Sequence, residues 1–154
     1  MLDLDLDFDE FIKKALEEDL GILGDITTDT IFDDTHKSEV VINFREEAVV
    51  GGLNFAKRVF EIIDPNIEFE ILKAEGKIIN KAGNAARIKG KTKSILKAER
   101  VALNIMQRVS GIATNTKKYA DLVLPYGCKI CDTSKTTPLF RSFDNSGVNL
   151  GGGI

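Results

Sequence analysis

Between Lys93 and Val123, the side chains of Ile95, Ala98, Ala102, Ile105, Val109, Ile112, Thr116, Tyr119 and Val123 recur in steps of three and four residues. Such steps keep one stripe on one side of a helix with 3.6 residues per turn, so the segment predicts a single long helix, open to a break at Ser110 and Gly111. No other pattern in the chain runs as far, and the rest is read around it.

Ahead of it, Phe8, Ile12, Ala15, Leu16 and Leu20 repeat at helical spacing and predict a helix over residues 8–20, with Asp7 as N-cap and Glu10 as its capping-box partner. The following GILGDITTDTIF mixes Gly, Asp and Thr and reads as an ordered loop. Residues 38–45 alternate, with Val40, Ile42 and Phe44 on one face, and predict a half-buried strand; residues 47–51 predict a second. Phe55, Ala56, Val59, Phe60 and Ile63 predict another amphipathic helix, stopped by Asp64 and Pro65. Residues 67–73, 77–80 and 86–91 alternate again between glycines, so the middle of the chain reads as sheet. After Pro125 and Gly127, CKIC reads as a short buried strand of parallel type that runs into a loop, and the chain reaches a glycine triplet at 151–153. A strand, a loop and a glycine triplet read as a domain begun rather than finished, with a sheet edge left open.

At 154 residues the chain has room for one ordinary domain and an appendage. Apolar residues at 43% and charged residues at 29% match a soluble globular protein, and a net charge of −3 provides no global field for nucleic acid. No apolar run approaches the roughly 20 residues that span a bilayer, and the acidic start is unlike a signal peptide, so the expectation is a cytoplasmic protein without a membrane partner. Two cysteines, Cys128 and Cys131, and the lone His36 make neither a disulfide framework nor a complete zinc set, which fits a reducing compartment.

Three places could carry chemistry. Arg100, Asn104 and Arg108 lie four residues apart and share a face of the long helix, bordered by Gln107 and Gly111. Two guanidiniums with amides beside them can grip a carboxylate or phosphate, although a solvated face fits the same spacing. The DTSKTTP stretch, residues 132–138, follows the CKIC strand, and ligands in α/β folds bind just past the carboxyl ends of strands. Its hydroxyls, its amides and Lys135 could surround an oxyanion, with Arg141 adding a cation beyond. A plain Ser/Thr loop is the alternative. Cys128 and Cys131 have redox-motif spacing but read as buried filler on opposite faces of a strand. His36 reads as a surface histidine, Asp25 as a turn or cap residue, and the Asp-Leu alternation of residues 2–7 as a frayed terminus.

Taken in order, EEDLGILGDITTD at 17–29, KAERVALNIMQRVSGIAT at 97–114, CDTSKTTPLFR at 131–141 and GGG at 151–153 resemble the quinolinate phosphoribosyltransferase family over nearly the whole chain. Relatives associated with molybdenum uptake share much of this pattern. The resemblance implies an α+β N-terminal domain, a mixed sheet with helices, followed by a long helix and the first strand of a truncated α/β barrel; the first domain with its connecting helix takes residues 1–120, and the start of the barrel residues 121–154. It further implies the condensation of quinolinate with phosphoribosyl pyrophosphate to nicotinate mononucleotide, pyrophosphate and carbon dioxide in NAD biosynthesis. Magnesium is the implied cofactor, with ligands outside this chain and no metal site within it, and a homodimer or higher homo-oligomer is the implied assembly.

By motif position the resemblance makes Lys135 the catalytic residue, and Arg100, Thr133, Ser134 and Lys135 substrate-binding, with Arg108, Thr136 and Arg141 in secondary roles. Arg100 would grip a quinolinate carboxylate of the neighbouring subunit. Three places in the chain, five residues in all, depart from the family pattern. Ser134 stands where the family has arginine, Leu139 where it has glycine, and Asn145, Ser146 and Gly147 where it has lysine, an aromatic residue and alanine. The expectation is therefore a truncated and inactive chain of the family, with a noncatalytic remnant or assembly module, or the molybdenum-associated relative, as the alternatives.

Overall fold

A computed structural model describes residues 8–154. Five helices and five strands follow one another: α1 (Phe8–Leu20), α2 (Ile26–Ile31), β1 (Lys37–Asn43), β2 (Ala48–Val49), α3 (Leu53–Ile63), β3 (Glu68–Ile71), β4 (Ile78–Ile79), β5 (Asn84–Lys91), α4 (Thr92–Val123) and α5 (Arg141–Leu150), with a 3-10 turn at Leu124–Tyr126. The anticipated N-cap Asp7 and the residue 2–7 alternation lie outside the described residues; within α1, Glu10 pairs with Lys14 at 2.7 Å.

The period-2 segments form an antiparallel sheet of order β1-β5-β3, and β2 pairs with β4 in a second small ladder. Register follows burial: Val40 and Phe69 both lie opposite Ile88, so the apolar residues of three strands share one face. On the outer face Arg87 bridges Glu39 at 3.1 Å and Glu70 at 2.7 Å. The apolar face packs with α3 and α4 around a core that includes Val50, Leu53, Val59, Ala85, Ile88 and Val109, none of them solvent-exposed. Gly52 shows how closely α3 and α4 approach: its φ is +81°, and a Cβ there would sit 2.9 Å from the Cα of Met106.

The long helix forms without the break at Ser110 and Gly111. The Ser110 hydroxyl is buried against β2's continuation, accepting from the Gly51 N–H at 3.0 Å and donating to the Gly51 carbonyl at 2.9 Å. Gly111 faces open solvent, so its poor helix propensity costs about 1 kcal/mol and nothing more, while buried Val109 and Ala113 hold the helix on either side.

Two expectations fail, and one helix was not foreseen. The GILGDITTDTIF stretch is not all loop: Asp25 Oδ1 accepts the Thr28 N–H at 3.0 Å, and that cap starts α2. Asp25 is thus the cap residue the sequence suggested, and the hydrogen bonds from Thr28 hold its carboxyl below the usual range. CKIC forms no strand, and both cysteines are exposed rather than buried. A buried strand needs cover on both faces, and here the backbone hydrogen bonds run to Ile154 on one side. The Ile154 N–H donates to the Ile130 carbonyl and the Asp132 N–H to the Ile154 carbonyl, each at 2.9 Å, which is the pattern of a parallel pair. Residues 141–150 form α5, a helix the periodicity did not announce.

Packing holds α5 in place. Its Phe143 is 2% exposed and its ring lies 4.9–5.7 Å from those of Phe8, Phe11, Phe55 and Phe140, joining α1, α3 and α5. Just past its end, Gly151 approaches α4 so closely that a Cβ would meet the Ala113 carbonyl oxygen at 2.4 Å. His36 is a surface residue as expected, yet its Nδ1 lies 2.7 Å from the Thr92 hydroxyl.

Candidate active site

The arginines of α4 share a face but serve different ends of the molecule. Eight residues of helix separate Arg100 from Arg108, a rise of about 12 Å. Arg100 points to the end of α1, where Nη1 donates to Asp19 Oδ1 at 2.6 Å; its side chain is 71% exposed, and this bond raises its pKa. Beside it an open groove of ≈ 580 Å³ is lined by Asp19, Gly24, Asp25, Arg100, Asn104 and Gln107.

Arg108 is committed elsewhere. Its Nε and Nη2 donate to the two carboxylate oxygens of Asp144 on α5 at 2.7 and 2.9 Å, and Nη2 also donates to the Thr137 hydroxyl at 2.7 Å. The guanidinium lies 4.9 Å over the Phe140 ring. The Asp144 hydrogen bond raises the Arg108 pKa, and with planar bidentate geometry the pair is a fixed joint. Among the residues anticipated as an anion grip, Arg108 therefore commits its Nε and Nη2 donors within the chain.

The loop at residues 132–140 meets the Arg108 joint at Thr137. Arg141 Nη2 donates to the Ser134 carbonyl at 3.4 Å, the Lys135 N–H donates to the Thr133 hydroxyl at 3.3 Å, and the Phe140 N–H closes a turn onto the Thr137 carbonyl at 3.0 Å. Thr133, Ser134, Lys135 and Thr137 are exposed and Thr136 is half-buried. The Lys135 ammonium has no salt bridge or hydrogen bond among the described residues, so its charge is available to a ligand. Leu139, at φ +68°, occupies the left-handed region that glycine fills without strain.

The structure thus brings Thr133, Ser134, Lys135, Thr136 and Arg141 together on one loop, with Arg108 at its root, and leaves Arg100 apart beside its own groove. Asp19 and Asp144, the partners of the two arginines, were not singled out in the sequence; their only signal is an acidic residue on each neighbouring helix. No group of three or more His, Cys, Asp or Glu side chains able to hold a metal ion occurs among the described residues.

Residues 25–110 match the family described as quinolinate phosphoribosyl transferase, N-terminal domain, and residues 112–154 match its C-terminal domain. The chain is 39% identical over 142 residues to quinolinate phosphoribosyltransferase [decarboxylating] 1 of Nicotiana glauca, covering 92% of this chain and 40% of that protein. It is 35% identical over 146 residues to a probable nicotinate-nucleotide pyrophosphorylase [carboxylating] of Synechocystis, covering 95% and 49%. Among solved structures, the nicotinate-nucleotide pyrophosphorylase of Francisella tularensis superposes with a TM-score of 0.89 at 34% identity, over 96% of this chain and 51% of that one. That of Ehrlichia chaffeensis gives 0.88 at 39% identity, over 97% and 54%. The chain spans two fifths to half the length of these relatives, and within that span sequence and fold agree: it belongs to the quinolinate phosphoribosyltransferase family.

Proposed function

We propose that this chain carries part of the site at which quinolinate and phosphoribosyl pyrophosphate condense to nicotinate mononucleotide, pyrophosphate and carbon dioxide. The observation that carries the reading is the Lys135 ammonium, exposed and without an ion partner among the described residues, on a loop that guanidiniums hold at Ser134 and Thr137, on either side of it. Lys135 serves as the catalytic cation. It holds the anionic substrate in place and, held ready, opposes the negative charge that develops as carbon dioxide leaves. Thr133, Ser134 and Thr136 present hydroxyls and amides to the same ligand, and Arg141 adds charge from the start of α5.

Arg100 serves a quinolinate carboxylate of a neighbouring subunit. Its ion pair with Asp19 is largely exposed on the arginine side, and exposed pairs contribute about 0–1 kcal/mol, so a substrate carboxylate can replace Asp19 at little cost. The arrangement requires a homodimer or higher oligomer, and the exposed apolar side chains Ile22, Leu23 and Ile26 next to the Arg100 groove suit such an interface. A cytoplasmic protein fits the two free cysteines, and no helix among the described residues is long and apolar enough to cross a membrane. Magnesium, which the reaction would use with phosphoribosyl pyrophosphate, would be held by ligands outside this chain, and the roles given above are those of the chain's own cations.

Ser134 favours a second reading. A hydroxyl there cannot make the bidentate contact an arginine makes, which fits a noncatalytic relative that keeps the fold. The two are separated by assaying the chain, alone and mixed with the C-terminal half of an active relative, for nicotinate mononucleotide and carbon dioxide. Turnover that falls about 100-fold with Lys135→Ala, at an unchanged melting temperature, supports the catalytic reading. Absence of turnover in both arrangements, together with absence of quinolinate binding, establishes the noncatalytic one.

A further inference from the structure

Arg108 stands on the same helical face as Arg100, carries the same charge and borders the same loop as Lys135, yet its geometry is that of a joint. Its Nε and Nη2 are fixed in plane by the two oxygens of Asp144, whose side chain is only 13% exposed. The N–H that remains on Nη2 is thereby aimed at the Thr137 hydroxyl, 2.7 Å away. Phe140 stacks beneath the guanidinium and packs against Phe11 and Phe143, so the joint is anchored in the aromatic cluster. Two residues before Thr137 stands Lys135, with its ammonium free of partners among the described residues.

We propose that Arg108 is a positioning residue: through Thr137 it holds the carboxyl half of the loop against α4 and α5, and so fixes where Lys135 presents its charge, without itself touching the ligand. The proposal rests on the reading of this loop as a ligand-binding one. Two guanidiniums tether the loop on either side of Lys135. Arg141 holds the Ser134 carbonyl at 3.4 Å, a long bond, while the Arg108 contact is short, charge-assisted and braced by an ion pair. Arg108 therefore dominates, and its loss frees the residues between.

Thr137→Val isolates the tether, because it removes the acceptor and leaves the Arg108–Asp144 pair and the docking of α5 intact. Backbone ¹⁵N order parameters of Lys135 and Thr136, which report motion on the picosecond-to-nanosecond scale, are expected to fall from the rigid range near about 0.85 to below about 0.6, while those of α5 and the melting temperature stay unchanged. Thr137→Ser, which restores the hydroxyl, returns Lys135 and Thr136 to rigid values. Unchanged loop order in Thr137→Val, or failure of Thr137→Ser to restore it, overturns the proposal. Titration with inorganic pyrophosphate on the same samples tests the other reading: wild-type chain that does not bind it counts against the proposed ligand-binding loop, whereas the order parameters decide the role of Arg108 on their own.

Discussion

The body built from the sheet, α3 and the first six turns of α4 and the stretch at residues 124–140 are held by different forces. In the body, side chains such as Val50, Leu53, Val59 and Ile88 are wholly buried, and the conformation of each element follows from the face it must hide. In the stretch, Leu124, Tyr126 and Leu139 are 71%, 81% and 66% exposed, and shape depends on a few polar tethers: Ile154 to the backbone at 130 and 132, Arg141 to Ser134, Arg108 to Thr137. Loops that carry chemistry on a rigid scaffold are commonly built this way. The contrast implies that the two regions respond to different substitutions, and that what joins them is α5.

The largest effect should come from breaking that junction. Phe143 is the one ring that touches Phe8, Phe11, Phe55 and Phe140, so Phe143→Ala removes a buried aromatic side chain from the meeting point of three helices. A loss of about 3–5 kcal/mol in unfolding free energy is expected from urea titration. Amide exchange should show α5 and the residues around Lys135 opening before the sheet does; uniform opening would mean that α5 is part of the body rather than a bridge to it.

Much of the body is visible in the sequence because burial writes itself as period. The 3- and 4-residue steps from Ile95 to Val123 and the alternation through Val40 and Ile42 describe the faces that α4 and β1 bury. The two missed helices carry no such signal: ITTDTI is β-branched and polar, and depends on the Asp25 cap, while RSFDNSGVNL contains Ser, Asp, Asn and Gly, all modest helix formers, and is set by Phe143 and by close approach to α4. CKIC misled because apolar residues without covering layers do not make a buried strand. At the candidate site the spacing of Arg100 and Arg108 correctly gave a common face, but no spacing reveals that Asp19 and Asp144 wait at opposite ends of it. The basic loop was legible residue by residue; its tethers, being tertiary, were not.

A smaller effect of opposite sign tests the loop's strain. Leu139 holds φ +68° with its side chain largely in solvent, so it bears the steric cost of the left-handed region, roughly 1–2 kcal/mol, with little burial to offset it. Leu139→Gly relieves that cost and gives back about 0.4–1 kcal/mol through the greater freedom of glycine in the unfolded chain. The expected net is stabilisation of about 0.5–1 kcal/mol, a rise of about 2 °C in melting temperature for a chain of this size. A fall in melting temperature would show that the Leu139 side chain makes contacts that matter.

The smallest effect sharpens the comparison by pH. Asp64 caps the end of α3 in the body: its Oδ1 accepts from the Asn66 backbone at 3.0 Å and its Oδ2 from the Ser94 hydroxyl at 2.9 Å, at 9% exposure. The backbone hydrogen bond from Asn66, aided by Ser94, lowers its pKa below the ordinary value of 3.8. A depressed folded-state pKa means that the unfolded chain takes up the proton first as pH falls. The contribution of Asp64 is therefore complete above the unfolded value near 3.8 and is lost as pH drops through the lower folded value. Asp64→Asn, which cannot ionise, should be less stable than wild type at neutral pH, with the gap closing below about pH 4 in urea midpoints measured at a series of pH values. Leu139→Gly, acting on an uncharged loop position, should displace the whole curve by a constant amount. If the Asp64→Asn curve instead ran parallel to wild type down to pH 2, the carboxylate would be acting through shape alone, as the Leu139 side chain does.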